Sequence, residues 1–120
     1  MRNLVKAIIH LVLLLMIVFP IAVHAKELTK GMLFLTARKL VIQKGWQPIN
    51  IHEGKNFEYM GTDKKLVEAH VMEIEVCAGD RPSCIFNYIK GDKCLRLFTL
   101  GEKIQSMRVT SWSYNCPDPE

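Results

Sequence analysis

We expect the fold to be built around residues 84–100, CIFNYIKGDKCLRLFTL. Two runs rich in β-branched, aromatic and leucine residues, 84–90 and 93–100, flank the dipeptide Gly91-Asp92. A two-residue connection of this kind predicts a tight β-hairpin, because glycine tolerates the positive φ angles that such turns require. We therefore expect an antiparallel sheet built around this hairpin.

The turn also sets the register of the sheet and places Ile89 opposite Cys94. A further strand is expected over residues 107–116, where a disulfide would join Cys94 to Cys116. With that disulfide, the expected pairs across the last two strands are Arg96–Tyr114, Phe98–Trp112 and Leu100–Thr110.

Both faces of the expected sheet are apolar. The face expected to form the core carries Ile85, Ile89, Cys94, Phe98, Leu100, Trp112 and Cys116. The opposite face carries Phe86, Tyr88, Leu95, Leu97, Met107 and Val109. A sheet that is apolar on both sides needs a cover on each side. The second face is therefore either ordinary core or a partner-binding surface, and this makes Phe86 and Tyr88 candidate partner-binding residues.

Residues 28–44 predict the main helix, because apolar side chains recur there at helical spacing. Thr29 is expected to cap its N-terminus, and Gly45 to end it in the left-handed conformation. Residues 62–69 predict a short second helix with Thr62 as its N-cap.

Two shorter strands are expected over residues 47–51 and 71–76. Pro48 confines the first of them to a sheet edge or to a strand start, because proline cannot donate to the ladder. The expected fold class is α+β, with one long and one short helix packed on an antiparallel sheet of four to five strands. Residues 26–120 would form one compact domain held by two disulfides.

Residues 1–25 have the layout of a secretory signal peptide. Arg2 and Lys6 form a short positive region, residues 7–19 are apolar, and Val23-His24-Ala25 supplies small residues for cleavage after Ala25. The alternative is an uncleaved membrane anchor, since about 20 mostly apolar residues could just span a bilayer. We expect cleavage, no stable membrane insertion afterwards, and a bacterial periplasmic or secreted protein.

Size and charge exclude several classes of function. A chain of 120 residues is enough for one small domain. Its formal net charge is +4, and removal of Arg2 and Lys6 with the first 25 residues would leave +2. This excess is too small for a general nucleic-acid-binding protein, so no nucleic-acid partner is expected.

All four cysteines follow the expected signal peptide, at positions Cys77, Cys84, Cys94 and Cys116. An even number in a short exported chain indicates two disulfides. Three pairings are possible, and the strand geometry favours Cys77–Cys84 with Cys94–Cys116. The spacings do not match the closely spaced cysteine pairs of zinc sites, so no metal is expected.

The sequence contains no pattern typical of an active site. Glu73 and Glu75 alternate with apolar residues and are expected together on a solvated face. His52 and His70 are interpreted as two unrelated surface histidines rather than as metal ligands. The serines lack the context of a nucleophile elbow. We therefore expect a protein that is not an enzyme and has no cofactor.

Four further residues are candidate partner contacts. A disulfide would hold the loop over residues 78–83 rigid, with Asp80 and Arg81 at its tip. A rigid loop loses little conformational entropy on binding. Trp46 follows the main helix and is expected to pack the helix end onto the sheet. Arg96 is expected to stack on the residue opposite or to extend into a binding face.

The order of these motifs resembles a group of small exported proteins of Gram-negative bacteria, most of them uncharacterised, over roughly residues 33 to 112. The motifs that carry the resemblance are Gly45-Trp46-Gln47-Pro48, Cys77-Ala78-Gly79, Pro82-Ser83-Cys84-Ile85-Phe86, Thr99-Leu100-Gly101-Glu102 and Val109-Thr110-Ser111-Trp112. The resemblance implies the periplasm and a small α+β fold, and it implies no activity. The layout is also similar to the half-repeats of small secreted inhibitor proteins.

Together these features predict a small periplasmic or secreted protein-binding module that is not an enzyme, of the inhibitor or immunity kind. A protein partner in the periplasm is expected. The alternative is an envelope-maintenance or adaptor protein that binds another component of the cell envelope.

Overall fold

The computed structural model describes residues 1–15 and 26–119. The first range contains helix α1, Arg2–Leu15, in the apolar N-terminal segment. The expected cleavage site at Val23-His24-Ala25 lies outside the described residues. In the two ranges that are described, no helix combines the length and the apolar character needed to cross a membrane.

Two helices and five strands are described after residue 26. The helices are α2, Phe34–Gln43, and α3, Thr62–Glu68. The strands are β1, Gln47–Pro48; β2, Ile74–Cys77; β3, Ser83–Lys90; β4, Lys93–Leu100; and β5, Arg108–Ser113. All strand pairs are antiparallel, so the expected α+β class with an antiparallel sheet is confirmed.

Strands β3 and β4 form the predicted hairpin. Ile89 pairs with Cys94 and Ile85 with Phe98, as the turn at Gly91 required. Strand β3 is central: β4 lies along one edge, whereas β1 and β2 both pair with the other edge. The hairpin therefore organises the whole sheet.

The register between β4 and β5 differs from the prediction. The observed pairs are Arg96–Ser113, Leu97–Trp112, Phe98–Ser111, Thr99–Val109 and Leu100–Arg108, with a β-bulge between the pairs at Phe98 and Thr99. The disulfide between Cys94 and Cys116 forms as expected. It does not set the register, because Cys116 lies beyond the end of β5 and is not held by the ladder.

The two faces of the sheet are also reversed relative to the expectation. The face that packs under α2 carries Phe86, Tyr88, Leu95, Leu97, Met107 and Val109, each 1% or less exposed. Phe34 of α2 stacks on Phe86 with ring centroids 4.0 Å apart. The face expected to be core is the outer face, where Leu100 is 50% exposed. Because both faces are apolar, the position of α2 decides which one is buried.

Helix α2 is shorter than the predicted helix over residues 28–44. The chain before Phe34 instead pairs with β5: Gly31 N–H donates to the Val109 carbonyl at 2.7 Å, and Phe34 N–H to the Met107 carbonyl at 2.9 Å. Thr29 is therefore not the N-cap, and Leu33 occupies that position without a side-chain hydrogen bond.

Helix α3 lies where the short second helix was predicted. Its N-cap is Gly61 rather than Thr62, and no side chain caps it. Asp63 instead accepts a hydrogen bond of 2.8 Å from the Cys77 amide, which ties α3 to β2. Strands β1 and β2 lie within or near the predicted segments, and β1 is shorter because proline at position 48 has no amide to donate.

Candidate functional site

The C-terminus of α2 fixes the position of Trp46. Gly45 adopts φ +93°, and its N–H donates to the Ile42 carbonyl at 3.0 Å. The Trp46 N–H donates to the Val41 carbonyl, also at 3.0 Å. These two bonds define a Schellman motif, in which the residue after the glycine packs back against the last turn of the helix. Trp46 accordingly packs against the core, as the sequence predicted.

The end of β5 brings two more aromatic residues to the same place. Trp112 pairs with Leu97 and so lies on the inner face. Tyr114 follows the end of β5 and is 65% exposed. Its ring centroid lies 6.2 Å from that of Trp46. The disulfide between Cys94 and Cys116 holds this end of the two strands together.

A cleft opens at this end of the sheet, which we call the aromatic cleft. It has a volume of about 300 Å³ and is lined by Glu27, Leu28, Val41, Lys44, Trp46, Leu95, Trp112 and Tyr114. It opens beside the end of α2 at Gln43, and the sheet residue that lines it, Leu95, is itself 1% exposed. Six of these lining residues are apolar or aromatic, and Glu27 and Lys44 are charged; a lining of this composition is typical of a binding site.

The disulfide between Cys77 and Cys84 closes a second surface, the clasped loop of residues 78–83. The Ala78 N–H donates to the Ser83 carbonyl at 2.8 Å, which closes the base of the loop. Asp80 and Arg81 are both exposed at its tip, as expected. A groove of about 380 Å³ separates the loop from the start of α3 and from Glu102.

Arg96 lies on the outer face of the sheet, apart from both surfaces. Its guanidinium forms an ion pair with Glu75 and lies 5.6 Å from the ring centroid of Phe98. The expected stacking of Arg96 on Tyr114 is wrong, because the register places Ser113 opposite Arg96 and Tyr114 on the inner face.

A buried polar cluster links α2 to the sheet. Glu73 is 1% exposed, pairs with Arg38 and accepts a hydrogen bond of 3.0 Å from the Tyr88 hydroxyl. Burial, reinforced by the Glu73 carboxylate, raises the pKa of Tyr88 well above its ordinary value. The hydrogen bond to Glu73 raises the pKa of Arg38. The expectation that Glu73 and Glu75 share a solvated face is wrong, because each pairs with a different arginine.

His52 is buried, contrary to the expectation of a surface histidine. Its ring stacks on Phe57 with centroids 3.6 Å apart, and its Nε2 donates to the Glu75 carbonyl at 2.6 Å. His70 is exposed and adopts φ +63°. Across residues 1–15 and 26–119, no three His, Cys, Asp or Glu side chains are grouped so that they could hold a metal ion.

The structure separates the six candidate partner contacts. Phe86 and Tyr88 are fully buried under α2, so the expectation that they lie on a partner surface is wrong. Asp80 and Arg81 share the clasped loop, Arg96 lies on the outer face, and Trp46 lies in the aromatic cleft. Sequence reasoning missed Trp112 and Tyr114 as partners of Trp46, because it placed the last strand in another register.

Comparison of the chain with protein-family models, with curated proteins and with solved structures gives no match. The geometry of the surfaces above is therefore the basis for a functional assignment.

Proposed function

We propose that this protein is a small protein-binding module that is not an enzyme, and that the aromatic cleft is its main binding surface. One observation carries the proposal: Trp46, after α2, meets Trp112 and Tyr114, at the end of β5, in one partly exposed cleft. Tryptophan and tyrosine are enriched among the residues that contribute most of the energy at protein interfaces.

Rigidity supports a binding role for this cleft. The Schellman motif holds Trp46 on one side, and the disulfide between Cys94 and Cys116 holds the strand ends on the other. Side chains that are already ordered lose little entropy when a partner binds. The clasped loop, with Asp80 and Arg81 at its tip, is the second surface suited to protein contacts for the same reason.

Two disulfides fit an oxidising compartment. Together with the expected signal peptide over residues 1–25, they support a periplasmic or secreted protein. The resemblance to small exported proteins of Gram-negative bacteria points the same way. Within that setting we propose the inhibitor or immunity kind of partner, in which one protein binds another stoichiometrically.

The test uses the protein purified after export, with both disulfides formed. The protein is immobilised, exposed to periplasmic extract, and the bound species are identified and counted against the bait. Tyr114→Ala is the test variant and Met60→Ala the matched control, because their side chains are 65% and 67% exposed and only Tyr114 lines the cleft. Circular dichroism establishes that both variants are folded.

We expect one stoichiometric protein partner that binds the unchanged protein and Met60→Ala equally. Tyr114→Ala should weaken that binding by at least about tenfold, the effect of a typical aromatic anchor. Equal binding by Tyr114→Ala would show that the cleft is not the site. Retention on cell wall or lipid without a protein partner would support the envelope role instead.

A further inference from the structure

One lysine lines the aromatic cleft and others lie beside it. Lys44 lines it directly, and Nζ of Lys90 donates to the Lys44 carbonyl at 2.8 Å, which places a second ammonium group at the same helix end. Lys26 and Lys39 line a neighbouring groove of about 440 Å³. Glu27 is the one acidic residue that lines either depression.

The cleft and this groove adjoin each other along α2. Lys26 lines the groove, and the next two residues, Glu27 and Leu28, line the cleft. On the helix, Leu40 lines the groove and its neighbour Val41 lines the cleft. An extended segment several residues long could therefore lie across the C-terminal half of α2 and contact both depressions.

The charged side chains at this surface are mainly positive, although the surface lies beside the C-terminus of helix α2. The C-terminus of a helix carries a partial negative charge, which would disfavour an anionic ligand. Here the ammonium group of Lys90 donates a hydrogen bond to the carbonyl of Lys44, the C-cap residue of α2. This positive group offsets the partial negative charge of the helix C-terminus. Lys26, Lys39 and Lys44 are all exposed to solvent. A surface of one sign attracts partners of the opposite sign and repels those of its own.

We infer that the occupant of the aromatic cleft is an extended acidic segment of the partner protein. An apolar or aromatic side chain of that segment fills the cleft, and flanking carboxylates face Lys39 and Lys44. This inference rests on the proposed function, because it specifies the chemistry of the partner that the cleft binds.

A random peptide library displayed on phage tests the inference without knowledge of the partner. The library is selected on the exported, oxidised protein, and peptides that also bind Tyr114→Ala are removed. We expect the recovered peptides to carry an aromatic or aliphatic residue flanked by aspartate and glutamate. Their affinity should fall as salt is added, because screening weakens attraction between exposed charges.

Charge variants supply the matched control. Neutralisation of one lysine of the neighbouring groove and one of the cleft, Lys39→Gln with Lys44→Gln, should weaken binding of a recovered peptide by about tenfold. Lys64→Gln with Lys103→Gln changes the net charge equally, but neither side chain lines the cleft or its neighbouring groove. The control should bind the peptide within about twofold of the unchanged protein, since distant exposed charges are screened.

The outcomes separate the two proposals. Recovered peptides that depend on Tyr114 but are neutral or basic would overturn the acidic partner and leave the protein-binding cleft intact. Equal effects of the two lysine pairs would do the same, because the charge effect would then be general to the molecule. A selection that recovers no peptide dependent on Tyr114 would overturn both proposals.

Discussion

Tyr88 of β3 donates a hydrogen bond of 3.0 Å to Oε1 of Glu73, and the same carboxylate pairs with Arg38 of α2. Among the side-chain hydrogen bonds of the described residues, this cluster is the one polar link between α2 and the buried face of the sheet. The Glu73 carboxylate is buried, so its interactions with Tyr88 and Arg38 replace the hydrogen bonds that water would donate to it in the unfolded chain.

We expect Glu73→Gln to lower the free energy of unfolding by about 2 kcal/mol, because an amide offers one acceptor oxygen where the buried carboxylate offers two, so Arg38 or Tyr88 loses its partner. Tyr88→Phe should lose about 1 kcal/mol, since only one hydrogen bond disappears. Urea unfolding followed by circular dichroism measures both. Glu75→Gln is the control: the Glu75 side chain is 15% exposed and that of Glu73 is 1% exposed, so Glu75→Gln should cost less because water can replace the lost interaction. Equal losses at the two glutamates would contradict the importance of burial.

Stability should fall in alkali because of Tyr88. Burial raises the pKa of its phenol well above the ordinary value, which is about 10. Above pH ~10 the unfolded chain releases this proton while the folded chain retains it, so unfolding becomes easier by about 1.4 kcal/mol per pH unit until the folded-state pKa is reached. Urea midpoints at closely spaced alkaline pH values should show a shallower decline for Tyr88→Phe than for the unchanged protein. Parallel declines would rule out Tyr88 as the cause.

Asn87 should be replaceable with a gain in stability. It is 1% exposed, and among the described residues its side-chain amide nitrogen and oxygen have no hydrogen-bond partner. A buried polar group without a partner costs about 1–3 kcal/mol. We expect Asn87→Leu to raise the free energy of unfolding by about 1 kcal/mol in urea titrations. A loss of stability would show that the amide makes a favourable interaction in solution.

Gly101 is predicted to tolerate no side chain. Its φ is +135°, and a Cβ atom there would lie 2.6 Å from Cα of Met107. We expect Gly101→Ala to destabilise the fold by about 3 kcal/mol, from backbone strain together with overpacking. Gly79→Ala is the matched control, because nothing lies within 4 Å of its added Cβ. Melting temperatures distinguish the two variants, and similar values would contradict the close approach at Gly101.

The two disulfides should differ in their contributions. Cys94 and Cys116 are 22 residues apart, whereas Cys77 and Cys84 are 7 apart. In the chain-entropy model, loss of the disulfide that closes the longer loop lowers the free energy of unfolding by about 3 kcal/mol, and loss of the one that closes the shorter loop lowers it by about 2 kcal/mol. Double serine variants compared by urea unfolding test this order. A non-reducing peptide map that joins Cys77 to Cys94 would refute the pairing itself.

Local sequence was enough to predict the hairpin, the end of α2 and the disulfide between Cys77 and Cys84. In each case the deciding residues are close together: Gly91 sets the turn, Gly45 ends the helix, and Cys77 directly faces Cys84 across β2 and β3. The start of α2 was predicted too early, because the helical pattern includes residues that pair instead with β5. That competing interaction comes from a strand far along the chain.

The antiparallel hairpin and its register follow from residues 84–100 alone, because the two-residue turn at Gly91-Asp92 leaves the flanking residues one way to pair. Which face of the sheet is buried depends on the packing of α2. Both faces are apolar, so the sequence pattern of either face would allow α2 to pack on it. The register of β5 likewise depends on tertiary packing, because a bulge at Thr110 separates the pair Phe98–Ser111 from the pair Thr99–Val109. That bulge and the end of α2 place Trp112 and Tyr114 beside Trp46, so the aromatic cleft is a product of packing between distant segments.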